Sequence, residues 1–161
     1  MNQLYLLRHG LAVPYGTPDI DDDDRPLTLE GERRVRGVGR ALKRLKIKVD
    51  RIATSPLPRA HRTAEIVAES LGKPELIEVA DELRAHRDAS SIQDWLKTRL
   101  EESLMVVGHN PSLSQLLGRL VVGPDHPSIG DLHKAGIAAL RSDGGDLYRI
   151  DWISRPKLFR I

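Results

Sequence analysis

The chain alternates short apolar runs with longer stretches of three- and four-residue apolar spacing. Gln3 to Leu7 is a short apolar run that stops abruptly at Arg8-His9-Gly10, which predicts a buried strand emptying into a loop. Residues 14–26 hold three Pro, one Gly and six charged side chains and predict an irregular loop. Thr28 is an N-cap for a helix carrying Glu30 and Glu32 in its first turn, where the helix dipole favours negative charge. Val35, Val38, Leu42 and Leu45 form its apolar stripe, and Arg33, Arg34, Arg36, Arg40, Lys43 and Arg44 its outer face. A strand is predicted over 51–55, a helix over 60–71 closed by Gly72, and a strand over 76–79. Another helix follows over 91–100, with Ile92, Trp95, Leu96 and Leu100 facing inward. A strand over 104–107 then leads into Gly108-His109-Asn110-Pro111, where Asn110 can cap a helix that Pro111 begins and that runs to about Val121. Residues 135–141 and 147–153 read as a closing strand pair. The pattern predicts one α/β domain over residues 1–161, a three-layer sandwich with a mostly parallel central sheet between helices.

Ligands bind such sheets at the carboxyl ends of the strands, so the residues after each strand are the ones that count. Arg8 and His9 follow the first strand. Ser55 follows the second and leads to Arg59, and His109 follows the strand over 104–107. Any one of these alone reads more readily as a packing or solvated residue. Together they are two guanidiniums and two imidazoles with no carboxylate at those points, a set suited to an anion. Arg offers a planar fork of donors for phosphate oxygens, and nearby positive charge keeps a His neutral and nucleophilic. A divalent metal fits poorly, because the flanking arginines would repel it.

Composition narrows the chemistry. The 161 residues contain no Cys, which excludes disulfide scaffolds and thiolate nucleophiles. Arg outnumbers Lys by 18 to 7, yet the net charge is only +2. Aromatics make up 4% of residues, so the basic helix over 33–46 lacks the interleaved rings of a single-stranded nucleic-acid surface. The Asp21–Asp24 run lacks the spaced ligands and central Gly of a Ca²⁺ loop. With neither a membrane span nor a signal segment in the pattern, the expected location is the cytoplasm.

Leu6-Leu7-Arg8-His9-Gly10 resembles the Arg-His-Gly signature of the histidine phosphatase superfamily, with its phosphoglycerate mutase-like fold. Arg25-Pro26-Leu27-Thr28 with Gly31, Ser55-Pro56 with Arg59-Ala60 and Thr63-Ala64, and Val107-Gly108-His109-Asn110-Pro111 are similar to the SixA-type phosphohistidine phosphatase branch. The resemblance implies that His9 accepts the phosphoryl group and that Arg8, Arg59 and His109 hold its oxygens, with Ser55 and Asn110 as further candidates. It implies no cofactor and no metal. Larger members carry an acid after the second helix. Here Glu82 and Asp88 are the candidates, and Asp22 or Asp24 could reach the site from the 14–26 loop. A weak acid position favours a P–N substrate, because a protonated phosphohistidine expels neutral imidazole without further help. The expected substrate is a phosphohistidine-bearing protein domain. A small phosphorylated metabolite is the alternative, and a non-catalytic phosphate- or nucleic-acid-binding module a second one. With no obvious cap domain the site is expected to be open, with residues 14–26 and 124–134 as candidate rims. His61 and Arg62 read as helix surface or as substrate-side contacts.

Overall fold

The computed structural model describes residues 1–126 and 128–159. Six strands, β1 (Gln3–Arg8), β2 (Arg51–Thr54), β3 (Ile77–Val79), β4 (Ser103–Gly108), β5 (Ile137–Ser142) and β6 (Tyr148–Ser154), form one sheet in the order β3-β2-β4-β1-β5-β6. The first four are parallel, while β5 and β6 run antiparallel at one edge. Four helices cover the two faces: α1 (Leu29–Arg44), α2 (Pro58–Leu71), α3 (Ala89–Lys97) and α4 (Ser112–Val121).

Burial on both faces explains why β1 and β4 read as unbroken apolar runs rather than alternating ones. Leu4, Leu6, Leu104 and Val106 point into a core shared with Ile92 and Leu96 of α3 and Leu113, Leu116 and Leu117 of α4. Tyr5, Leu7, Met105 and Val107 point the other way, against Val35, Val38 and Leu42 of α1 and Ile66 and Val67 of α2. This is the expected three-layer sandwich.

Local signals set most helix ends. Thr28 caps α1 by accepting from the Gly31 amide at 2.9 Å, and Gly72 closes α2 in the left-handed region at φ 72. Gly31 also lets α1 approach the chain after β1, since a Cβ there would overlap the Leu11 carbonyl.

Several boundaries differ from the sequence expectation. Leu45 is the C-cap of α1 and is 57% exposed, so the apolar stripe ends at Leu42. Helix α3 starts two residues early and stops at Lys97, which leaves Leu100 96% exposed beyond it. Asn110 does not cap α4; Pro111 is the residue before the helix, and the Asn110 amide is bonded elsewhere. Periodicity over-extended both helices because it cannot see where the sheet beneath them ends.

Candidate active site

Strand order builds the site. β2, β4 and β1 are consecutive neighbours, with Thr54 opposite Val107 and Arg8 opposite Gly108. The residues that follow them, Ser55, His109 and His9, therefore emerge side by side at one edge. All three are buried, as is Arg59 from the first turn of α2 at 2% exposure. The His9 and His109 rings lie 5.1 Å apart between centroids. The four expected side chains are thus one cluster.

Each ring has a defined hydrogen-bond role. His9 Nδ1 lies 2.7 Å from the Gly10 carbonyl, which can only accept, so Nδ1 carries the proton and Nε2 keeps its lone pair. His109 Nε2 lies 2.9 Å from Ser55 Oγ. That hydroxyl already accepts from the Leu57 amide at 3.3 Å. Donating its own proton to His109 Nε2 satisfies both groups and leaves a proton on His109 Nδ1.

The cluster keeps its imidazoles neutral. Burial, then the charges of Arg59, Arg8 and Lys134, depress His9 to about 3 against the opposing bond to Gly10. Burial depresses His109 to about 2, with His9, Arg59, His86 and Arg8 acting in the same direction. Burial also pulls the Arg8 and Arg59 guanidiniums below their ordinary value, and both remain cations.

Each guanidinium is anchored through Nη1 to a backbone carbonyl. Arg8 Nη1 donates to the Leu132 carbonyl at 2.8 Å. Arg59 Nη1 donates to the Asp22 carbonyl at 2.7 Å, and its Nη2 lies 3.8 Å from the Asp22 carboxylate. The buried Nε atoms of both arginines and Nδ1 of His109 have no hydrogen-bond partner among the described residues. Buried donors of this kind are costly unless something accepts from them. Thr63 completes the frame: its hydroxyl donates to the Arg59 carbonyl at 2.7 Å and accepts from the Gly10 amide at 3.0 Å. One residue thereby ties α2 to the loop carrying His9.

The remaining candidates fall elsewhere. Asn110 gives Nδ2 to the Leu132 carbonyl at 3.2 Å and accepts from Ser114 Oγ at 2.9 Å, so it shapes the segment that anchors Arg8. Glu82 is exposed in a 3-10 turn over 81–83 and has no hydrogen bond or ion pair to the four site residues. Asp88 precedes α3 and lines a separate cavity with Arg119 and His126. Of the acidic loop, Asp22 does reach the site, bound to Arg25 at 2.6 Å and to Arg59, whereas Asp24 is exposed. Residues 14–26 and 131–134 therefore flank the cluster; the second expected rim includes Pro127, which lies outside the described residues. Arg62 is helix surface, bound to Glu32, Glu65 and Glu69, and His61 pairs with Glu65.

Lys134 was not singled out by sequence. It follows a loop and precedes β5, where no pattern marks it. Ala135, at φ 57, donates its amide to the carbonyls of both Arg8 and His9, and this turn brings Lys134 beside them. His86, also in the left-handed region at φ 69, is a neighbour of His109 that only the fold reveals.

As for metals, no group of three or more His, Cys, Asp or Glu gathers in metal-binding fashion among the described residues. Nor is any helix long and apolar enough to cross a membrane.

Comparison with known proteins agrees with this geometry. Residues 4–86 match the model of the histidine phosphatase superfamily, branch 1. The phosphohistidine phosphatase SixA of Escherichia coli (strain K12) is 31% identical over 157 residues, covering 96% of this chain and 94% of that protein. A structure of the protein histidine phosphatase SixA complexed with tungstate superposes with a TM-score of 0.84 at 27% identity, covering 98% of this chain and 99% of that one. A probable phosphoglycerate mutase of Klebsiella pneumoniae is 44% identical, but over 73 residues, 45% of this chain and 33% of that protein. The full-length likeness to SixA, the matched N-terminal motifs and the cluster of Arg8, His9, Arg59 and His109 lead to one assignment: the chain belongs to the histidine phosphatase superfamily and is SixA-type within it.

Proposed function

We propose that this phosphatase hydrolyses phosphohistidine on a phosphotransfer or signalling protein, through a covalent phosphoryl intermediate on His9. The observation that carries the reading is the set of buried, unpartnered donors beside a neutral imidazole: Arg8 Nε, Arg59 Nε and His109 Nδ1 around His9. Guanidinium and imidazole donors gathered beside one nucleophile suit the equatorial oxygens of a phosphoryl group in transfer. Tungstate, held by the SixA structure of similar fold, is a tetrahedral oxyanion of that kind.

In the first step the His9 Nε2 lone pair attacks phosphorus. The substrate's P–N bond breaks, and its electron pair stays on the departing imidazole nitrogen. Protonation of the substrate's other ring nitrogen makes that leaving group a neutral imidazole. Water then attacks phosphorus, the bond to His9 Nε2 breaks, and inorganic phosphate leaves. Gly10 holds His9 in the nucleophilic tautomer throughout, and Ser55 keeps His109 Nδ1 as a donor. Glu82 and Asp88, apart from the cluster, are not needed for an imidazole leaving group, which supports a P–N substrate. Asp22, at Arg59, is the group a phosphomonoester substrate would call on for a proton. The mutase likeness over 73 residues keeps that second reading, a small phosphorylated metabolite, in the test.

Two measurements test the proposal. Turnover is compared for a phosphohistidine protein, phosphoramidate and a panel of phosphomonoesters; preference for the P–N compounds is expected. Phosphomonoester preference with dependence on Asp22 would overturn the substrate class. Rapid quench with a ³²P-labelled substrate should trap label on the wild type and none on His9→Ala. Labelling of the variant at wild-type level would remove His9 as nucleophile. Activity is expected to survive EDTA, and a loss restored by Zn²⁺ or Mg²⁺ would reverse the metal-free mechanism.

A further inference from the structure

Beside the His9 cluster a second cavity of about 390 Å³ opens, lined by Arg8, Arg34, His133, Lys134, Arg155 and Lys157. Its floor is shared with the phosphoryl site through Arg8. One wall is α1. The opposite wall is the 3-10 turn over Pro156–Phe159, which follows β6 and packs its Phe159 into the apolar layer beneath α1. Among the described residues the lining contains five arginine and lysine side chains and no carboxylate. Arg34 is partly neutralised by Glu30 at 2.7 Å, and Asp131 acts on Arg8. By contrast, the side chains of Lys134, Arg155 and Lys157 have no hydrogen bond or ion pair among the described residues. Three uncompensated cations in one cleft create a local field that the net charge of +2 conceals.

We propose that this cleft docks an acidic segment of the phosphoprotein substrate, carboxylate side chains lying next to the phosphorylated histidine. The inference rests on the phosphohistidine reading above and names the kind of protein that would carry the group. Charge complementarity selects an anion. Continuity with Arg8 means the occupant belongs to the same molecule as the phosphoryl group. A polypeptide rather than a metabolite is favoured by an exposed apolar side chain on the wall that carries Lys157: Leu158, 69% exposed, directly follows it. Apolar anchors bordering a charged cleft are features of protein interfaces.

The test uses two synthetic peptides of equal length with one central histidine phosphorylated by phosphoramidate, flanked in one by Glu and in the other by Gln. Wild-type enzyme should show a kcat/KM at least tenfold higher for the Glu peptide, with the preference shrinking as salt rises. The Arg155→Glu/Lys157→Glu double variant should lose the preference while hydrolysing free phosphoramidate at the wild-type rate; Arg155→Gln/Lys157→Gln, a milder change, should lose most of it. Equal kcat/KM for both peptides on wild type, or a preference that persists in the double variant, would overturn the docking site. Unphosphorylated versions of the peptides, measured by fluorescence anisotropy, separate this inference from the substrate reading. If neither phosphopeptide is hydrolysed while phosphomonoesters are, the P–N reading fails, and tighter binding of the Glu peptide still supports the cleft. Preference for fructose 1,6-bisphosphate over fructose 6-phosphate through Arg155 and Lys157, with the peptides indistinguishable, would assign the cleft to small polyanions and overturn protein docking.

Discussion

On the outer face of α1, Arg33 and Arg34 reach Glu30, and Arg36 reaches Glu32, at 2.6–2.7 Å within one turn of helix. At the sheet edge, Arg8 and Arg59 spend one end of the guanidinium on backbone carbonyls and keep a buried Nε without a partner among the described residues. The side chain is the same, and the surroundings decide its use. Helical spacing puts a carboxylate three or four residues away from Arg33, Arg34 and Arg36, so their charge is met where it arises. The strand ends offer no carboxylate at that spacing, and a buried cation there is compensated by carbonyl dipoles, by loop carboxylates such as Asp22 on Arg59, and by whatever anion the donors accept. The first turns of the basic helix are therefore paired within the helix, while the side chains of Arg155 and Lys157 have no hydrogen bond or ion pair among the described residues.

Breaking the strand-end set should have the largest effect. Arg59→Ala is expected to lower kcat/KM by about 10²–10³-fold, the usual loss for a preorganised donor to a transition state. Arg59→Lys should recover little, because an ammonium cannot reproduce the fork. A loss below threefold in steady-state assays would place Arg59 outside the phosphoryl site. Ser55→Ala should cost about tenfold, chiefly in kcat, since His109 loses the contact that sets its tautomer. An unchanged kcat in that variant would detach Ser55 from the mechanism.

The pH dependence sharpens the same contrast. His9 and His109 should stay neutral from pH 8 to pH 5, and NMR of their ring protons should show no titration in that range. Below an unfolded-state value of 6.5 the unfolded chain binds protons at both positions that the folded chain does not. Stability is therefore unaffected by this pair above pH 6.5 and falls progressively as pH drops toward 3. A midpoint near 6.5 for either ring would contradict the buried, cation-flanked setting.

Surface changes should be small. Arg62→Ala removes the ion pairs that join α2 to Glu32 of α1 and should cost about 0.5–1 kcal/mol in denaturant unfolding, with kcat/KM unchanged. Arg33→Ala should change neither stability nor activity detectably, because its pair with Glu30 is fully exposed to solvent. A drop in activity in Arg33→Ala would mean that the α1 face takes part in substrate binding.

Much of this was legible in the residues. The apolar run of β1 ending at Arg8-His9, the break after β2 and the His109 turn each signalled a strand end on its own. What blurred the reading was extent: the α1 stripe over-ran to Leu45 and the α3 pattern to Leu100, both exposed, because spacing reports a face without reporting what lies under it. Asn110 showed the opposite limit. Its chain position suits a cap, but its amide is taken by Leu132 and Ser114, and Leu132 is 22 residues away.

The sequence by itself determined the four clustered side chains at the strand ends, the absence of a thiol route and the alternation that makes an α/β sandwich, because those rest on residue identity and local periodicity. Tertiary structure decided which strand ends adjoin. It set the order β3-β2-β4-β1-β5-β6, brought the Asp22 loop onto Arg59, turned Lys134 toward His9 and closed a cationic cleft between α1 and the chain beyond β6. These contacts join residues far apart in the chain, 124 positions for Arg8 and Leu132, and no short-range pattern encodes them. They arise only when both faces of the sheet are buried and the loops at its edge must find partners for their polar groups.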